Sequence, residues 1–428
     1  MIYLNINNLK QNSMKITNIY AEEILDSRGN PTIKCNIQLE NRTMVSASVP
    51  SGASTGKYEA IELRDGDDNR YLGKGVLKAV QNVNEKIAPL FVNKDLASIE
   101  EVDKAMIELD GSSNKENLGA NAILSVSMAY TRALAEAENL PLYKYIAKIF
   151  NNKPKLPKLM VNVLNGGKHA TNASDLQEYM LVPTGATSVQ QAVQWSSECF
   201  HNLGKILKEM GLPTTVGDEG GYAPSLESNE KPLELMIQAI TKSNLQPGKD
   251  MSLAIDCAAS SFYEDGKYNL VTENRILTTE ELCDMYGTWI EKYPIISIED
   301  AFGEDDWDGF QMFEKRFGEK VMNVGDDLYV TNVVKLKQGI ELNASNSILI
   351  KLNQIGSVTE TKNAIDLANS ANMTSIISHR SGETEDTFIA DFVVGGGTGY
   401  IKTGSMSRSE RVAKYNRLMS IEREMLSN

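Results

Sequence analysis

The chain has little with which to build a soft-metal or disulfide-stapled site: its 428 residues include three histidines and four cysteines. Cys35, Cys199, Cys257 and Cys283 are far apart and form no C-x-x-C pair. That pattern excludes a common zinc centre and a dense disulfide framework, and it predicts a reducing, cytoplasmic setting. Long apolar runs are also missing, and nothing approaches the roughly 20 residues that cross a bilayer, so no membrane span is expected. Basic residues are outnumbered 43 to 57, for a net charge of -14. Such an excess argues against nucleic acid or an anionic membrane as the main partner. Residues 1–13 are Asn-rich without an apolar core or a cleavage site, so they read as a flexible extension rather than a signal peptide, with Met14 as an alternative start. Internal repeats and low-complexity tracts are absent.

What is present is 41% apolar side chain, enough for two domains. Alternation over Lys15–Tyr20 and Thr32–Ile37, with turn residues Ser27–Pro31 between them, predicts a small β-meander. From Lys74 to Phe150 the spacing turns helical, most clearly over Ala120–Asn139. These stretches predict an α+β domain over 14–150. The polar segment Asn151–Pro157 carries two prolines and marks a boundary, with a second domain over 151–428.

In that second domain eight short apolar runs each end in polar or charged residues. The runs are Leu159–Leu164, Tyr179–Val182, Ser252–Ile255, Pro294–Ile298, Val321–Val324, Ile348–Ile350, Thr374–Ile377 and Tyr400–Ile401. Helical stretches separate most of them, the signature of a (β/α)₈ barrel whose reactive groups sit where strands give way to loops. The first two runs are separated only by Asn165–Glu178, too short for a parallel crossover helix, which predicts a hairpin and an atypical ββαα start.

The run ends carry Asp256, Glu299, Asp326, Lys351, His379 and Lys402. One carboxylate at a strand end is usually a helix cap. Three at one mouth repel unless a cation lies between them, and hard oxygen donors without His or Cys favour Mg²⁺. Lys351 points inward or outward according to register. Inward, burial and neighbouring cations are expected to lower its pKa toward that of a base; a structural lysine is instead paired with a carboxylate. Gly217–Gly221 holds Asp218 and Glu219 in a glycine-rich bend, readable as a plain turn or as a catalytic acid on a loop. Pro50–Lys57 fails as a Walker A loop, leaving a surface loop or a lid whose hydroxyls reach a metal. Gly395–Gly399 reads as a tight helix-to-strand turn.

Nine stretches in order resemble the enolase family between Ile16 and about Ile421: 25–32 (LDSRGNPT), 49–56 (VPSGASTG), 119–124 (GANAIL), 216–224 (VGDEGGYAP), 297–300 (SIED), 324–328 (VGDDL), 349–356 (LIKLNQIG), 378–386 (SHRSGETED) and 401–404 (IKTG). The resemblance implies dehydration of 2-phosphoglycerate to phosphoenolpyruvate in a homodimer or higher homo-oligomer. It also implies two Mg²⁺ per site, the first held by Asp256, Glu299 and Asp326, the second bound with help from Ser54. Lys351 is similar in position to the family's base and Glu219 to its acid, with Glu178 supporting Glu219 beside Gln177. His169 and His379 resemble site-lining imidazoles, Arg380 and Ser381 the phosphate contacts, and Lys402 a second substrate lysine. Lys168 and Tyr400 stand where the family varies or differs, and neither removes a charge the chemistry uses.

Two other readings are open. A divergent superfamily dehydratase or lactonising enzyme shares the barrel and metal carboxylates but usually carries a K-x-K base on the second barrel strand. The K-x-K of the second half, Lys335-Leu336-Lys337, instead falls where a helix should begin. A binding role at a cell surface or with an RNA-processing partner is the other, although no terminal lysine follows Ser427-Asn428.

Overall fold

The computed structural model describes residues 14–52, 56–170 and 174–427, so the extension 1–13 and Ser54 lie outside the described residues. Strands β1 (Ile16–Leu25), β2 (Pro31–Leu39) and β3 (Met44–Ser48) form the expected meander, antiparallel throughout. Asp26 builds its first turn: Oδ1 accepts the N–H groups of Arg28 and Asn30, each at 2.8 Å. This is the local side-chain bond that lets aspartate replace a backbone turn contact. The helix Ala120–Ala137 is buried on nearly all sides and packs on β2 and β3, as an all-round apolar helix must.

All eight predicted runs are strands of one closed barrel: β4 (Lys158–Asn165), β5 (Glu178–Val182), β6 (Ser252–Asp256), β10 (Ile295–Glu299), β11 (Met322–Gly325), β12 (Ser347–Ile350), β13 (Thr374–Ser378) and β14 (Gly399–Lys402). A three-stranded sheet of β7 (Tyr263–Glu264), β8 (Lys267–Leu270) and β9 (Arg275–Leu277) is inserted after β6. Asp265 and Gly266, both at positive φ, turn β7 into β8. The short gap after β4 is indeed a hairpin, and β5 runs antiparallel to both β4 and β6. Two helices, Val189–Glu209 and Lys231–Lys242, follow before β6, giving the ββαα start. Gly395–Gly399 is the tight turn its sequence suggests, with Gly397 and Gly399 at φ of +65° and +98°.

The barrel interior is a separate apolar cluster of Met160, Met180, Val182, Ala254, Val324, Leu349 and Ile376. Side chains alternate across a strand with period two, so the register that turns these residues inward also directs Asn162, Asp256, Asp326 and Lys351 into the barrel two positions later. Because β5 is reversed, the inward residue at this mouth precedes Met180 and is Glu178, paired with Asp256. A register shift between Ile295 and Ser297 brings Glu299 beside Asp256.

Asp103, on the N-terminal helix Ile99–Asp110, is fully buried and accepts the Thr359 N–H at 2.9 Å in the first turn of the barrel helix Val358–Ser370. Burial pushes its carboxyl up to about 6. A carboxyl raised above its unfolded value of about 3.9 adds stability at low pH, and that contribution is lost as pH rises through the folded value. Asp103→Asn keeps the shape without the charge. It is expected to raise unfolding free energy at about pH 8 by on the order of 2–3 kcal/mol, with the gain vanishing near pH 4. Denaturant unfolding at both pH values checks this; a gain independent of pH would contradict it.

Candidate active site

Nine of the residues named from sequence line one pocket at the mouth: His169, Gln177, Glu178, Glu219, Lys351, His379, Arg380, Ser381 and Lys402. A larger cavity of about 880 Å³, bounded by Asp175, Tyr263 and Thr272, holds none of them. Lys402, at the end of β14, sets its Nζ 3.2 Å from Glu178 Oε1, 3.1 Å from Asp256 Oδ2 and 2.8 Å from Glu299 Oε1. Gln177 Nε2 donates to the same Asp256 oxygen at 3.2 Å. Lys351 points inward, and its ammonium contacts Asp326 Oδ2 at 2.5 Å, while Gln354 Nε2 donates to Asp326 Oδ1 at 2.8 Å. Asp300, in the quoted stretch 297–300, accepts the N–H groups of Asp326 and Asp327 and so fixes the chain at Asp326.

The three carboxylates expected to hold a metal are arranged less simply than the sequence suggests. Two groups of three hold potential ligand atoms within 4.8 Å of one another: His169 with Glu178 and Glu219, and Asp300 with Asp326 and Asp327. Asp256, Glu299 and Asp326 do not form such a group among the described residues. Lys402 lies against the first two and Lys351 against the third. The donor set still suits a hard cation. Glu299 Oε2, Glu178 Oε2 and Gln177 Oε1 are buried acceptors without hydrogen-bond partners, an excess of oxygen that a divalent ion satisfies.

Electrostatics follow from this crowding. Burial, then Asp256, pushes Glu299 well above the usual carboxylate range. Burial drives Asp326 upward too, but Lys351 and Lys402 outweigh it and hold it low. Burial also disfavours the Lys351 ammonium, yet Asp326 more than offsets this and the pKa is raised. The expected lowering is therefore reversed in this arrangement, because the nearest charge is a carboxylate rather than a cation.

At the loop Gly217–Gly221, Asn162 Nδ2 donates to Glu219 Oε2 at 3.0 Å, and His379 Nε2 lies 3.3 Å from the same oxygen. His169 Nδ1 lies 3.7 Å from Glu219 Oε1 and 4.0 Å from Glu178 Oε1. Burial pushes both imidazoles down, His379 to about 4, so both are neutral near pH 7. Burial and Glu219 raise Glu178 well above its ordinary value. Burial acts on Glu219 in the same sense, but His379, His169 and Arg411 outweigh it and hold Glu219 low. Neutral rings act only as dipoles, so the lasting positive charges beside Glu178 and Glu219 are Arg411 and Lys402.

Arg380 is bidentate with Glu59, at 2.9 and 3.1 Å, and reaches Asn353 Oδ1 at 3.0 Å. Glu59, Asn162, Asp300 and Arg411 were assigned no role from the sequence; Asn162 left a local signal as a polar residue within the run Leu159–Leu164, and Asp300 stands in the quoted stretch 297–300. Lys335 and Lys337 lie on the helix Val333–Leu342, away from the second barrel strand.

Lys402 is the counter-charge for three buried carboxylates. Removing one partner from such a set leaves uncompensated charge, so Lys402→Met is expected to cost roughly 3–5 kcal/mol of stability near pH 7.5. The loss should be smaller at pH 5 than at pH 7.5, because Glu178 and Glu299, raised above the ordinary carboxylate range, take up protons before ordinary carboxylates do. Unfolding titrations at both pH values check this, and equal losses would show that Lys402 is not their counter-charge.

Two family models match the chain. The one described as the enolase N-terminal domain covers residues 16–146, and the one described as the enolase C-terminal TIM barrel domain covers 153–428. Together with the closed barrel and the charged residues gathered at its mouth, these matches show that the chain belongs to the enolase family.

Proposed function

We propose that the protein catalyses the reversible dehydration of 2-phosphoglycerate to phosphoenolpyruvate, the glycolytic and gluconeogenic reaction of an EC 4.2.1.11 hydro-lyase. One observation carries the reading: an amine and a carboxyl group face one buried pocket from different arcs of the barrel. Lys351 enters from the end of β12, and Glu219 from a loop hydrogen-bonded to β4, with β13 and β14 between those strands.

A proton beside a carboxylate is a very weak acid, since its removal adds negative charge to a group already anionic. Bound Mg²⁺ would offset that charge and draw Asp326 from Lys351, with Asp256, Glu299 and Asp326 as one ion's ligands and Ser54 helping with a second. Lys351 Nζ takes the C2 proton. Glu219 delivers a proton to the departing C3 hydroxyl, and Glu178, on the other side of His169, supports it. Arg380, Ser381 and Lys402 meet the anionic ends of the substrate, while His169, Gln177 and His379 line its path and exclude water. In this reading 14–150 caps the barrel of 151–428, and the protein works in the cytoplasm as a homodimer or higher homo-oligomer. Among the described residues no helix is long and apolar enough to cross a membrane.

A coupled assay of phosphoenolpyruvate formation tests the reading. Activity should depend on Mg²⁺, vanish on chelation and return on re-addition; no product from the Mg²⁺-supplemented protein would contradict it. Asp326→Asn supplies oxygen without the balancing charge, so its half-saturating Mg²⁺ concentration should rise by at least about tenfold. An unchanged requirement would remove Asp326 from the ligand set.

A further inference from the structure

Arg411 is the largest charged side chain with no exposure to solvent, and it enters the site from the first turn of the C-terminal helix Ser409–Leu426. Its guanidinium contacts His379 Nδ1 at 2.6 Å and donates to the carbonyls of Arg380 and Ser381, both at 2.5 Å, and of Asp218 at 3.2 Å. Room for it depends on Gly404, at φ of +82°, where a Cβ would stand 2.7 Å from Arg411 Cδ. One arginine thus joins the segment 379–381 to the acid loop.

A guanidinium has five N–H donors, no acceptor, and stays protonated. Its contact with an imidazole nitrogen is therefore N–H to lone pair, and Nδ1 of His379 must be the bare nitrogen. In the neutral ring the proton then lies on Nε2, the nitrogen 3.3 Å from Glu219 Oε2. The opposite tautomer would bury two donors against each other.

We infer that Arg411 is a positioning residue that locks His379 in its Nε2–H tautomer, so that His379 turns an N–H, not hydrogen-bonded in this arrangement, toward Glu219 and cannot take the proton Glu219 delivers. Acceptance at Nε2 would make a cationic ring with an N–H against the guanidinium. Proton traffic through Glu219 is thereby confined to Glu178 and substrate, a consequence that rests on the hydro-lyase reading; the tautomer itself does not.

Nitrogen-15 NMR of histidine-labelled protein, without substrate, decides the matter. There are three histidines, so loss of one signal in His379→Gln assigns the ring. Near pH 7 the intact protein should show bare Nδ1 and protonated Nε2, with a preference of at least about tenfold, the amount one charge-assisted hydrogen bond supplies. Arg411→Met should abolish most of that preference and lower kcat, and Arg411→Lys, which keeps a charged donor, should restore both in part. An Nδ1–H ring in the intact protein overturns the inference, whether or not Arg411→Met folds. So does a folded Arg411→Met that keeps the Nε2–H tautomer. Because no turnover is needed, a chain inactive toward 2-phosphoglycerate still gives the answer.

Discussion

Carboxylates gathered in a buried barrel mouth need positive charge beside them, and that requirement organises the site. Glu178, Asp256 and Glu299 share the Lys402 ammonium, and Asp326 takes that of Lys351. Unbalanced, such a cluster would push its own pKa values up until it neutralised, as Glu178 and Glu299 already show. A divalent cation bound here would compete with the lysines for the same oxygens. By engaging Asp326 it would release Lys351 from its ion pair and favour the amine over the ammonium.

Backbone geometry delivers these groups with little freedom. The period of two that packs Ala254, Val324 and Leu349 in the barrel interior also brings Asp256, Asp326 and Lys351 to its mouth. Two irregularities complete the set. The reversed β5 presents Glu178 from the start of a strand, and the register shift in β10 sets Glu299 opposite Asp256. A slip of one residue in either strand would turn its carboxylate away from the pocket.

Much of this was legible in the chain, because strands, turns and short gaps are local features. The eight runs, the hairpin after β4 and the helix beginning after Asn332 all follow from periodicity and spacing. The sheet β7–β9 did not, since strands of two to four residues have too little pattern to stand out. The site was harder to read where it depends on distant partners. Lys351 looked poised for a lowered pKa until Asp326, far from it in sequence, proved to be its nearest charge. Arg411 acts on His379 through a helix turn with no motif to mark it, and Glu59 holds Arg380 across 321 positions.

In the proposed reaction the labour is divided, Lys351 removing the C2 proton and Glu219 aiding loss of the hydroxyl. Glu219→Gln keeps the side chain's size but carries no carboxylic proton, so turnover should fall by roughly 10²- to 10⁴-fold. In D₂O with Mg²⁺ and 2-phosphoglycerate, that variant should still exchange the C2 hydrogen for deuterium while forming little product, and Lys351→Ala should do neither. NMR of the recovered substrate reads the exchange directly. Absence of deuterium at C2 with Glu219→Gln, under conditions where substrate and Mg²⁺ are bound, would contradict the assignment of the two roles.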